Sequence, residues 1–295
     1  MNILRAKMRS VCFASSTRIL EKFPPVLGFV LMVCCAAAQG QTLPPTSPAA
    51  DAPVASAPPA MEALERARKM VEAFFQTSSN VVCTENVTQS VVGKNGKPEY
   101  RENSVFDFHL QAGTNSGALK LVEDRVTLKA PFRDASRTLL ITNGFTSMLL
   151  IVDPAYEASY TFSPAGSESV DGSTLLTFDF KAVPGASSPM ALRLQGRSYA
   201  VPLSGTIWID PQSGAVAKII AATDSSMSDL GLQGMRSEIH YANVQFHDPE
   251  ESYWMPVTAI IDVETPHQHW RNVHRFTGYK RFKATMYIEG LEKKR

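Results

Sequence analysis

The stretch NVVCTENV, residues 80–87, holds Cys83, and a thiol is among the few side chains in this sequence able to act as a nucleophile. The other three cysteines, Cys12, Cys34 and Cys35, all fall within the first 38 residues. A lone thiol beyond them can serve as a nucleophile, as half of an intermolecular disulfide, or as a small apolar residue inside a strand. Nucleophilicity needs a lowered pKa, supplied by a basic neighbour or a helix N-terminus. Strand alternation puts Val81, Cys83, Glu85 and Val87 on one face, with Val82, Thr84, Asn86 and Thr88 on the other. No nearby cation lowers the thiol, and Glu85 raises it. The sequence therefore reads Cys83 as a buried, inert thiol, with intermolecular pairing as the alternative.

Histidines are the next candidates. His267 and His269 lie two apart, with His274 five further on. On a strand the first two would point the same way and could share a metal. TPHQHW, however, reads as a hairpin turn, and no third ligand stands at convincing spacing, so no metal site is assigned. His109, His240 and His247 are scattered and read as ordinary strand residues. No G-x-S-x-G occurs. VGKNGK has glycines and lysines but no following helix to make it a phosphate loop. NVT at 86–88 fits a glycosylation pattern that a bacterial-type leader makes irrelevant. Asp224 with Asp229, and Asp248 with Glu250 and Glu251, read as solvated turn charges. No catalytic residue and no cofactor is assigned; an envelope hydrolase using Cys83 or the His267/His269 pair is the least favoured reading.

Compartment comes from the start of the chain. Arg5, Lys7, Arg9, Arg18 and Lys22 precede the apolar run PPVLGFVLMVCCAAA, which is too short for a membrane span. Ala36 and Ala38 form an A-x-A cleavage pattern, so residues 1–38 are expected to be a signal peptide, with Met8 as an alternative start. Val33 before Cys34 is not the small residue a lipidated cysteine requires, which speaks against an anchor. The leader holds five of the 29 Lys/Arg and one of the 28 Asp/Glu, leaving the rest three charges negative. No basic patch points to nucleic acid, and no later segment is apolar enough to cross a membrane as a helix. The expectation is a periplasmic or secreted protein.

The elements that must position these residues follow from periodicity. Residues 39–60 are rich in Pro, Ala and Ser and predict a disordered tether. AMEALERARKMVEAFFQTS then places Leu64, Ala67, Met70, Val71, Phe74 and Phe75 at helical spacing. From Asn80 the period becomes two. Strands are expected at 80–92, 99–110, 119–128, 156–163, 173–183, 205–210, 215–222, 237–247, 253–265 and 270–282. Turns fall at Asn95-Gly96, at Asp210 to Gly214, and at Pro266 to His269. Pro256 belongs at an edge, a strand start or a bulge. Residues 142–154 read as a short helix or turn, and 184–204 as a lid or a disordered loop. Short connections imply an antiparallel sheet that curls into a barrel or half-barrel, its concave side covered by the helix. Residues 61–295 form one mainly β domain of this α+β kind.

A helix, a curved antiparallel sheet, and the pair GTIWIDPQSGAVAKI and YWMPVTAII together resemble the outer-membrane lipoprotein carrier (Lol-type) superfamily and its periplasmic relatives. The residues that carry the resemblance are Gly205, Ile209, Asp210 and Lys218, then Trp254, Met255 and Pro256. It spans most of residues 61–290 and implies an unclosed barrel that holds acyl chains or another apolar ligand without catalysis. The surplus of aromatic residues suits such a lining. Phe74, Phe106, Phe108, Phe178 and Phe180 are the cavity candidates, with Leu192, Arg193 and Arg197 over its mouth to meet an anionic head group. The expected partner is a hydrophobic small molecule, a lipid or a lipidated protein. An envelope interaction module with no ligand cavity is the alternative.

Overall fold

The computed structural model describes residues 57–78, 80–115, 118–129, 142–170, 172–194, 197–247 and 250–281. The expected leader and all but the last four residues of the expected tether lie outside them. Helix α1 runs Ala57–Thr77. It begins three residues before the periodic segment because Pro58 and Pro59 fit a first turn, where no intrahelical N–H is needed. Ala60, Ala63, Leu64, Ala67, Val71, Phe74 and Phe75 are its buried stripe. α1 touches β2 on one side and β4 and β8 on the other, so the sheet curls around it.

Twelve strands follow among the described residues. They are β1 (Val81–Val92), β2 (Pro98–Asn115), β3 (Ala118–Lys129), β4 (Tyr160–Val170), β5 (Ser173–Ala182), β6 (Ala191–Leu194), β7 (Arg197–Ala200), β8 (Leu203–Ile209), β9 (Val216–Thr223), β10 (Gly234–His247), β11 (Glu250–Glu264) and β12 (His269–Arg281). Ten make one antiparallel sheet in the order β3-β2-β1-β12-β11-β10-β9-β8-β5-β4. Its edges, β3 and β4, do not pair, so the barrel stays open. β6 and β7 form a separate hairpin inside the 184–204 loop, where no regular structure was expected. Met190 and Val201 are buried at its base, and Val201 N donates to Met190 O at 3.0 Å.

Turn chemistry follows the sequence closely. Gly96 (φ 74°) and Gly214 (φ 76°) take the left-handed conformation that closes their hairpins. The β8–β9 turn docks on α1, where Arg66 Nη2 donates to Pro211 O at 2.7 Å. Pro256 sits beside a bulge, since Tyr241 pairs with Pro256 and His240 with Thr258, leaving Val257 extra.

The connection from β3 to β4 joins opposite edges of the sheet. Its described part, from Thr142, lies inside the curve. A 3-10 helix at Ser147–Ile151 is buried throughout, and Phe145, Met148, Leu149, Leu150, Ile151 and Val152 belong to the main core. A second 3-10 helix, Pro154–Ser159, is capped by Asp153, whose side chain accepts from Ala155 N. The strand expected from 156 therefore begins at Tyr160, because Asp153-Pro154 starts a helical turn. We call residues 142–152 the plug.

Candidate functional site

Two arrangements stand out, one apolar and one polar. Between α1 and the start of β11 lies a cleft of about 200 Å³. Met70, Val71, Ala73, Phe74 and Thr77 come from α1, Leu149 from the plug, and Tyr253 and Trp254 from β11. Met70, Ala73, Phe74 and Thr77 stand at i, i+3, i+4 and i+7, one helical face. β11 delivers adjacent residues at the end of the sheet, beyond its last pairing with β12 at Thr258. Phe74 packs edge-to-face on Phe75 at 5.0 Å and on Tyr253 at 5.8 Å, giving the cleft a firm aromatic wall.

The polar arrangement is in the core. Glu85 follows Val81 and Cys83 on the inward face of β1 and is fully buried. Arg125 of β3 grips it with Nε and Nη2, the latter 2.6 Å from Oε1. His274 Nδ1 meets the same Oε1 at 2.7 Å. On its other side His274 Nε2 lies 2.7 Å from Thr142 Oγ1. Asn272 Nδ2 donates to Thr142 Oγ1 at 3.3 Å, and Arg125 Nη1 donates to Thr142 O at 2.6 Å. Nearby, Glu123 accepts from the N–H groups of Gly144 (2.8 Å), Thr146 (3.1 Å) and Ser147 (3.1 Å), at the open start of the 3-10 helix. Glu123 thus holds the plug directly, and Glu85 holds it through Arg125 and His274.

Proton inventory decides the charge states. Burial works to raise Glu85, but the Arg125 and His274 contacts override it and hold the carboxyl below its ordinary 4.5. An ionised Glu85 only accepts, so His274 Nδ1 carries a proton and donates. Burial keeps His274 below its ordinary 6.5 and outweighs Glu85. Its Nε2 is then bare and accepts from the Thr142 hydroxyl, which in turn accepts from Asn272. Burial raises Glu123 above 4.5 despite the donors from Gly144 and Ser147.

Hydroxyl, imidazole and carboxylate stand here in the order of a nucleophile, its base and the orienting acid. The surroundings assign them to structure. Thr142 and His274 are 3% and 1% exposed, so the hydroxyl does not face a substrate. The backbone N–H groups beside it, which could stabilise an oxyanion, are occupied by Glu123. Cys83 is equally enclosed: burial pushes its thiol up to about 12, with Glu85 and Asp107 adding to the rise against a hydrogen bond to Tyr279.

Of the residues singled out from sequence, Phe74 lines the cleft. Phe108, Phe178 and Phe180 lie in the filled core, Phe108 edge-on to Phe276 at 5.5 Å and Phe180 to Tyr160 at 5.9 Å. Phe106 is half-buried under the Arg125 guanidinium, 5.7 Å from its ring centre. Leu192 stands in β6 with Arg193, and Arg197 opens β7; their side chains lie outside what is described. His269 bonds Asp262 at 3.0 Å and His267 is exposed in the turn. Among the described residues no three His, Cys, Asp or Glu side chains converge as metal ligands, and no helix is long and apolar enough to cross a membrane. Sequence reading missed Arg125, Thr142, Glu123 and the role of His274. One signal was present: Glu85 at an inward position of a strand demands a buried partner.

No family model matches this sequence, and no curated protein matches it. Among solved structures the chain is similar to an outer membrane lipoprotein-sorting protein domain from Vibrio parahaemolyticus, at 13% identity and a TM-score of 0.39, covering 77% of this chain and 95% of that one. It is similar to a DUF1329 family protein from Desulfovibrio piger ATCC 29098 at 12% identity and 0.40, covering 77% and 95%. It is also similar to a LolA superfamily protein from Nitrosomonas europaea at 11% identity and 0.36, covering 77% and 94%. Two of these three descriptions name the lipoprotein-carrier group that residues 205–218 and 254–256 resemble.

Proposed function

We propose that this is an exported, non-catalytic binding protein of the cell envelope whose site is the cleft between α1 and β11. The supporting observation is that this cleft is lined mainly by apolar and aromatic side chains, held open by a helix and a strand end. Its ligand is an apolar group from a lipid, a lipidated protein or a hydrophobic small molecule. Burial of apolar surface, at about 25 cal/mol per Å², drives binding, and no bond is made or broken. The leader-like start of the sequence supports the compartment.

Size restricts the ligand. An engineered cavity of about 150 Å³ holds one benzene, so about 200 Å³ takes a ring or the end of a chain. The plug packs into the core inside the curve, and that one observation favours the second reading, an envelope interaction module without a ligand cavity.

A dansyl-labelled fatty acid titrated into the purified chain separates the two. Enhanced emission that disappears in Ala73→Trp, which puts an indole across the cleft, is the expected result. No emission change, with no small molecule carried by the protein in native mass spectrometry, rejects the ligand reading in favour of the module.

A further inference from the structure

The mouth of the cleft narrows the kind of ligand, on the assumption that the ligand reading above holds. Arg281 ends β12, and only 15% of its side chain is exposed. Nη2 donates to Thr77 O at 3.3 Å, in the last turn of α1. Nη1 reaches Tyr253 Oη at 3.5 Å, and the guanidinium lies 5.6 Å from the centre of the Tyr253 ring. Thr77 and Tyr253 both line the cleft. A cation is therefore fixed at the rim by a helix carbonyl, a phenol and a ring face. A guanidinium suits a helix C-terminus, where the peptide dipoles leave partial negative charge.

Its counterion is held less firmly. Glu251 Oε2 accepts from Arg281 Nη1 and from the Tyr253 hydroxyl, yet the Glu251 side chain is 41% exposed at the start of β11. A carboxylate thus already sits on Arg281 at the cleft mouth, from a side chain with water to move into.

We propose that Arg281 is a head-group site, and that the cleft takes a short anionic amphiphile. The tail enters between Phe74 and Trp254, and a carboxylate or phosphate replaces Glu251 on the guanidinium. Arginine's planar fork suits either group and binds it through two N–H donors. About six to eight carbons fill the cleft, on the benzene-sized comparison; a longer tail leaves its excess outside.

Isothermal titration of the full chain with butanoate, hexanoate, octanoate, dodecanoate, octyl phosphate and octanol tests this. Affinity rises about fourfold per methylene up to octanoate and then flattens. Octanoate binds about tenfold tighter than octanol, and the margin shrinks in high salt. The octyl phosphate arm decides between carboxylate and phosphate as the preferred head. In Arg281→Gln the octanoate and octanol affinities converge, while Glu251→Gln, which removes the competing carboxylate, tightens octanoate severalfold. Equal octanoate and octanol binding to the unaltered chain overturns the head-group site and leaves the apolar cleft standing. So does a preference that survives Arg281→Gln. Should neither ligand bind, or should Ala73→Trp leave both affinities unchanged, the cleft reading falls as well.

Discussion

Thr142 Oγ1 and His274 Nε2 meet at 2.7 Å across 132 positions of chain, and the bond works in one direction only. His274 receives the hydroxyl proton because its own is committed to Glu85. Protonating His274 would put two donors face to face there unless the threonine hydroxyl turned away. The bond therefore reports the charge state of the whole cluster.

Stability should follow pH accordingly. His274 sits below 6.5 in the fold, so as pH falls through 6.5 the unfolded chain takes up a proton that the folded chain refuses. Stability drops by up to about 1.4 kcal/mol per pH unit in that window. Glu85 is depressed below 4.5; its contribution is intact above 4.5 and is lost as pH falls through its lower folded value. Glu123 has the opposite sign, since its raised carboxyl takes a proton before the unfolded chain does and offsets part of the loss. Urea unfolding at pH 7.5, 6.5 and 5.5 should show the decline, and His274→Gln should flatten it. An unchanged slope in that variant would place the sensitivity elsewhere.

Glu85 is the hub of the cluster. Glu85→Ala strands the Arg125 guanidinium and the His274 N–H, at a cost of about 3–5 kcal/mol. Glu85→Gln keeps an acceptor and should cost clearly less. Chemical denaturation of both variants checks the ordering, and equal losses would mean that the charge itself decides.

Cys83 should be silent in the native protein. With its thiol pushed up to about 12 and its side chain buried, disulfide-exchange reagents at pH 8 should label it only as the chain unfolds. Fast labelling of the native chain would contradict the packing of β1.

Gly205 of β8 sits hard against β9. A Cβ placed there would come 1.9 Å from Ile220 O and 2.9 Å from Ala221 Cα. Gly205→Ala must push β8 from β9, with an expected loss of about 1–3 kcal/mol in thermal or urea unfolding. A neutral result would show that the two strands separate easily.

Where one rule dominates, the sequence was readable. Period-two runs gave most of the strands, Asn95-Gly96 and Asp210 to Gly214 gave their hairpins, and Pro256 narrowed its place to an edge, a strand start or a bulge, the last of which the structure shows. The helical stripe from Leu64 to Phe75 gave α1. What escaped was set by tertiary contacts. Nothing local in TNGFTSMLLIV says that it crosses the sheet to fill the curve, because its apolar residues suit a helix, a strand or a core turn equally. Arg125 reads as an ordinary strand cation until β1 brings Glu85 beside it. The cleft escaped for the same reason: Phe74 and Trp254 lie 180 residues apart and share a wall only when the sheet curls.

The pairing of β1 with β12 has a consequence in time. Val81 stands opposite Arg281, 200 positions further along the chain, so β1 leaves the ribosome long before its partner strand. The run β1–β3 and the run β8–β12 each pair strand by strand in sequence order, but neither can complete the sheet alone. Until they meet, one side of β1 presents unpaired backbone groups to any passing strand. Bringing such distant segments together is the slow kind of step in β folding. The seam between the two runs, rather than either open edge of the finished sheet, is therefore the place where a chaperone or an aggregate would compete for this chain.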